Sequence, residues 1–172
     1  MKFESFNKIA RHSAWIAIGA FFLSLAGCKT VNTEIMIAAS PATVWKIISD
    51  APGFQEWNPV HVRIEGEFKE GAPVKIHLKD PKGKVTAFPA IVRRMVPERL
   101  LNQGGGTPGL FTFNHTFSLE PDGNGTRFTQ REEFRGVGVL FFGLGWVDES
   151  YRTVNQALKE KAESLEKSGM PR

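Results

Sequence analysis

The chain has 172 residues, 41% of them apolar, with a formal charge of +4 and one cysteine. That content excludes a mostly disordered chain, and a single cysteine excludes an internal disulfide. With no Lys/Arg run longer than Arg93-Arg94, the charge argues against a polyanion or nucleic-acid partner.

The first 27 residues read as a secretory signal. Lys2, Lys8 and Arg11 make a basic start, and Ala14 to Ala26 is a run of 13 mostly apolar residues. At about 1.5 Å per residue such a run covers roughly 20 Å as a helix, short of a hydrocarbon core of about 30 Å. Leu25-Ala26-Gly27-Cys28 follows. Without the signal, 145 residues remain, a usual size for one domain, and their net charge falls to +2.

Thr33 to Ala39 predicts a first strand, with residues 28–32 before it as a short tether. Ser40-Pro41 predicts a helix start, Ser as N-cap and Pro at the first helical position. Val44, Trp45, Ile47 and Ile48 give that helix its apolar face, and Phe54 to Trp57 makes a second short helix. Alternation then predicts a strand over Val60 to Gly66, with Val60, Val62 and Ile64 on one face, and another carrying Val74, Ile76 and Leu78. Asp80-Pro81-Lys82-Gly83 is a hairpin turn by composition, followed by a long strand from Val85 to Val96. Glu98 to Gln103 predicts a strand ended by Gly104-Gly105-Gly106, with Gly104 to Gly109 a loop. Phe111, Phe113, His115, Phe117 and Leu119 share one face of the next strand. Asp122-Gly123-Asn124-Gly125 is the strongest turn signal, and Thr126 to Phe134 returns as the last strand. After the glycine-rich Gly136 to Gly145 the period becomes helical: Val147, Tyr151, Val154, Leu158, Ala162 and Leu165 form one stripe. The expected domain is 33–167, with 168–172 as a frayed tail. The class is α+β: a curved antiparallel sheet of about seven strands around a long C-terminal helix.

A turn centred on Gly123-Asn124 places His115 opposite Glu132, Phe113 opposite Phe134, Phe117 opposite Gln130 and Leu119 opposite Phe128, all on one phenylalanine-rich inner face. The His115–Glu132 pair has three readings, taken in this order: a satisfied polar pair within the sheet, a pair orienting a ligand, and an acid–base pair. Trp57 could stack on a ligand or plug the core. His12, His61, His77 and His115 are scattered, so no metal site is expected. No Gly-x-Ser-x-Gly elbow or phosphate loop occurs.

Two resemblances add to this reading. Leu25-Ala26-Gly27-Cys28 resembles the lipobox of bacterial lipoproteins. That implies cleavage before Cys28, lipid on its thiol, and a place in the cell envelope; Lys29 after the cysteine favours the outer membrane facing the periplasm. Ser40-Pro41-Ala42-Thr43-Val44-Trp45, Phe54-Gln55-Glu56-Trp57-Asn58-Pro59, Pro108 through Phe117 and Gly125 through Phe134 resemble the START/Bet v 1-like (SRPBCC) superfamily, within it the polyketide cyclase/dehydrase-like lipid-transport proteins. This implies the helix-grip fold and an internal cavity. Leu101-Asn102-Gln103 departs from the pattern, which has an aromatic residue there. Three functions follow. The leading one is a non-catalytic binder of a lipid, fatty acid or polyketide-like molecule without cofactor. Its cavity would be lined by Trp57, Phe88, Phe111, Phe113, His115, Phe117, Phe128, Gln130, Glu132, Phe134 and Tyr151. The second is a cyclase or dehydratase using His115 and Glu132. The third is an envelope interaction module.

Overall fold

The computed structural model describes residues 27–169; the signal expected before Gly27 and the end of the expected tail lie outside them. Seven strands form one antiparallel sheet: β1 (Cys28–Ile37), β2 (His61–Glu65), β3 (Pro73–Lys79), β4 (Val85–Val96), β5 (Leu100–Thr107), β6 (Phe111–Asp122) and β7 (Gly125–Arg135). Their order across the sheet is β1-β7-β6-β5-β4-β3-β2. Successive strands β2 to β7 are hairpin neighbours, while β1 and β2 form the two edges. The chain crosses between those edges through α1 (Pro41–Ile48) and α2 (Phe54–Trp57). The long helix α3 (Val147–Lys167) follows β7.

Local chemistry sets these boundaries. Ser40 caps α1 by accepting from the Thr43 N–H, and Pro41 stands where a helix needs no N–H. Asp80 fastens the β3–β4 turn, its Oδ1 accepting from the N–H groups of Lys82 and Lys84 at 2.9 Å each. Helix α3 buries Val147, Tyr151, Val154, Asn155, Leu158 and Ala162. Its far end is tied to the start of α1, where Glu166 accepts from the Thr43 hydroxyl. The main core joins the α1 face, Phe54, Phe68, Leu101, Phe117, Leu119, Phe128 and Leu158; a second cluster gathers Val31, Phe134, Val147 and Tyr151.

Three expectations are corrected. The first strand begins at Cys28, not Thr33. Residues Lys29 to Asn32, expected as a tether, pair with Phe134 to Arg131, because β7 runs far enough to offer them a full ladder. The glycines do not end β5. Gly104, Gly105 and Gly106 pair with Asn114, Phe113 and Thr112, and the turn falls at Pro108–Leu110. A Cβ on Gly105 would lie 2.2 Å from the Pro89 carbonyl oxygen, so the glycine permits the approach of β4. Finally, the expected Val60/Val62/Ile64 face of β2 is broken by a bulge between His61 and Arg63, which turns His61 inward alongside Ile64.

Candidate functional site

The β6–β7 register is as the sequence implies: His115 faces Glu132, Phe113 faces Phe134, Phe117 faces Gln130 and Leu119 faces Phe128. His115, Phe117, Phe128, Gln130, Glu132 and Tyr151 are all 0–3% exposed. A water-sized sphere reaches almost none of their surface, so the middle of the inner face is filled by side chains rather than open.

Within that middle lies a polar cluster. Tyr151, on the buried stripe of α3, donates its hydroxyl to Glu132 Oε2 at 2.7 Å and lays its ring over His115, centroids 5.3 Å apart and 18° from parallel. The expected direct His115–Glu132 hydrogen bond is not formed: Nδ1 to Oε2 is 3.8 Å, and the carboxyl takes its proton donor from the helix instead. His115 Nε2 lies 3.0 Å from the Gln130 amide nitrogen. With that amide donating, Nε2 is the acceptor and the imidazole proton sits on Nδ1, facing Glu132. His61 completes the group, its ring 5.2 Å from that of His115 and 6.0 Å from that of Tyr151. Asn58 fixes the approach of His61: its Oδ1 accepts from the Val60 and His61 N–H groups.

Burial decides the charges. It pushes Glu132 up to about 8 against the opposing pull of the Tyr151 hydroxyl, so the carboxyl is protonated at neutral pH. It lowers His61 to about 4. It drops His115 well below its ordinary value, with His61 adding to the effect. The cluster is therefore a neutral hydrogen-bonding surface rather than an ion pair. Four of its oxygens are buried without a hydrogen-bond partner among the described residues: the amide oxygens Gln103 Oε1, Gln130 Oε1 and Asn155 Oδ1, which are acceptors, and Glu132 Oε1, which carries the carboxyl proton while Oε2 accepts from Tyr151. Gln103 stands opposite His115 in the β5–β6 ladder, and Asn155 lies one turn after Tyr151, its amide donating to Thr33.

The aromatic residues divide into two groups. Phe117 and Phe128 are core, packed ring to ring at 5.4 Å. Trp57 leans on Phe54 at 5.0 Å and packs against the main core, its buried Nε1 without a partner among the described residues. Toward the end of the sheet where β1 begins, the packing loosens. Phe88 meets the edge of Phe113 at 6.3 Å, and Phe111 stacks on Phe134 at 5.8 Å. Phe88, Phe111 and Phe113 are only half-buried, as are Val139, Leu144 and Trp146 beside them.

His61, Gln103 and Asn155 join the site although the sequence reading does not select them. A register drawn about the Pro108–Leu110 turn places Gln103 opposite His115, and Asn155 follows Tyr151 by four residues on one helical face. The bulge that turns His61 inward leaves no mark in the alternation. No group of three or more His, Cys, Asp or Glu side chains is placed to hold a metal among the described residues.

A curled antiparallel half-barrel gripping a long C-terminal helix, with its chemistry on the concave face, defines a helix-grip protein. Solved structures of the same fold include the Zhui aromatase/cyclase from Streptomyces sp. R1128 (TM-score 0.67, 16% identity, 81% of this chain and 96% of that one). A protein from Thermus thermophilus matches with TM-score 0.65 and 18% identity over 80% of this chain and 99% of its own. One from Nitrosomonas europaea matches with TM-score 0.64 and 15% identity over 78% and 94%. No curated protein gives a significant sequence match. The chain belongs to the polyketide cyclase/dehydrase and lipid transport family, whose model matches residues 29–163.

Proposed function

We propose that this protein is a lipid-anchored envelope protein that holds a small hydrophobic molecule bearing a polar group. The carrying observation is three buried amide oxygens and one protonated carboxyl oxygen without partners among the described residues, in a fold that also carries a half-buried aromatic cluster. Leaving such atoms unpaired costs about 1–3 kcal/mol each, and a ligand hydroxyl or carboxyl can donate to the amide oxygens and accept from Glu132. Phe88, Phe111, Phe113 and Trp146 would hold its apolar part, which agrees with the description of the family. Cys28 is exposed at the first position of β1, which leaves its thiol free to carry the acyl anchor.

The test is native mass spectrometry of protein purified from its own membrane, followed by extraction and identification of bound molecules. A bound species of defined mass, reduced by Phe113→Ala, supports the reading; repeatedly empty protein refutes it. The anchor is tested separately by Cys28→Ser, which should abolish processing and membrane retention.

A second reading, a cyclase or dehydratase, has one observation in its favour: a neutral imidazole and a protonated carboxyl sit side by side, a base and an acid at the same pH. Its substrate, like the ligand of the first reading, would have to part the α3–sheet packing to reach these groups.

A further inference from the structure

Five large apolar side chains stand exposed together at the end of the sheet where β1 begins: Leu110, Val137, Leu140, Phe141 and Phe142, with Phe141 79% exposed. Two segments present them, the β5–β6 turn and residues 137–142 after β7, which open with the single helical turn Val137–Leu140. The backbone locks these segments together. The Val137 N–H donates to the Gly109 carbonyl at 3.1 Å and the Gly138 N–H to the Leu110 carbonyl at 2.8 Å, while Phe142 meets the edge of Phe111. The patch is thus a fixed surface. Fixed exposure of large apolar side chains in a cluster calls for a partner.

The segment leading into β1 says which partner. Gly27 lies against this patch: a Cβ there would be 2.9 Å from Val139 Cβ and 3.2 Å from Leu140 Cδ2, and its carbonyl accepts from the Gly136 N–H. Cys28 comes next, paired with Arg135, and no slack follows it. On the proposed tethering, an acyl anchor on Cys28 would enter the bilayer beside these five side chains. We infer that the Leu110/Val137/Leu140/Phe141/Phe142 patch inserts into the membrane surface as a second attachment. It orients the domain with the half-buried aromatic end of the grip toward the lipid. This rests on the proposed envelope tethering and specifies its geometry. Phe111, beneath Phe142, then stands at the boundary between the bilayer and the ligand route.

The test uses the full chain, purified and reconstituted into vesicles of phosphatidylethanolamine and phosphatidylglycerol. Phe141→Cys places a thiol in the patch; Asn124→Cys places one in the exposed β6–β7 turn at the opposite end of the sheet. A membrane-impermeant maleimide should label Cys at position 141 at least about tenfold more slowly in vesicles than after detergent is added, the factor that about 1.4 kcal/mol of partitioning yields. Labelling at position 124 measures the fraction of domains facing outward and should reach the same level for both variants once detergent is present. Equal labelling rates at 141 and 124 in vesicles overturn the insertion. Protection at 141 that disappears when protein is diluted into more lipid points to a second copy as the cover, and overturns it too. The wild-type chain in detergent reads the anchor independently: a labelled Cys28 means that its thiol carries no lipid, whichever way the patch behaves.

Discussion

Raising the pH from 6.5 to 8 should cost the wild type about 2 kcal/mol of stability relative to Glu132→Gln, a difference that the two buried histidines, present in both proteins, leave untouched. Burial holds Glu132 up to about 8 in the native state against an ordinary value of 4.5. Between those values the native state keeps a proton that the unfolded chain has released. Stability from this group is thus fully present below 4.5 and is lost as pH rises toward 8, at about 1.4 kcal/mol per pH unit. Below 6.5 the histidines oppose it: His61, at about 4, and His115 stay neutral in the fold while their unfolded forms take up protons. Two histidines outweigh one carboxyl, so stability also declines on acidification and peaks near 6.5. The assay is urea unfolding followed by tryptophan fluorescence across about pH 5 to about pH 9, comparing the wild type with Glu132→Gln. The amide oxygen of Gln still accepts from Tyr151, so the variant removes the ionisation and little else. Parallel curves for the two proteins from 6.5 to 8 would mean that Glu132 is ionised in the native state, and would refute the neutral-cluster account.

Tyr151→Phe removes the hydroxyl donated to Glu132 Oε2 and should cost about 1–3 kcal/mol in the same unfolding assay. Because that hydroxyl pulls the carboxyl down, the variant should also extend the alkaline decline beyond pH 8. Leu158→Ala, at the centre of the buried stripe of α3, should cost about 2–5 kcal/mol by leaving a cavity between helix and sheet; a thermal or urea midpoint unchanged from wild type would place the helix elsewhere.

Much of the architecture can be read from the chain because its signals are local. Ser40-Pro41 caps α1, Asp122 to Gly125 turns β6 into β7, and the register about that turn brings His115 to face Glu132. The stripe from Val147 to Ala162 likewise names the face of α3 that packs inward. Two kinds of feature escape such reading. One is a departure from period: the bulge at His61 to Arg63 reverses which side chain of β2 faces the core, and no residue type announces it. The other is competition between partners. Register makes His115 and Glu132 neighbours, but which donor the carboxyl accepts from depends on where α3 lies, and Tyr151 wins by distance. The three glycines of β5 mislead for a related reason. They look like a terminator locally, whereas the close approach of Pro89 makes them a requirement of the sheet.

The pairing of Cys28 with Arg135 sets an order of events in the life of the protein. The first strand of the chain joins the last, so the sheet closes only after β7 has been made and delivered across 107 residues of separation. Once it closes, the Gly27 carbonyl is engaged by Gly136 and Cys28 is inside a ladder. A peptidase that needs the chain extended through residues 25–28 then has no grip on it. Maturation at Cys28, as proposed, therefore has to run ahead of folding, with the domain completing itself while already held at the membrane. A mutation that speeds β1–β7 closure would be expected to leave precursor behind, a biogenesis defect with no loss of stability.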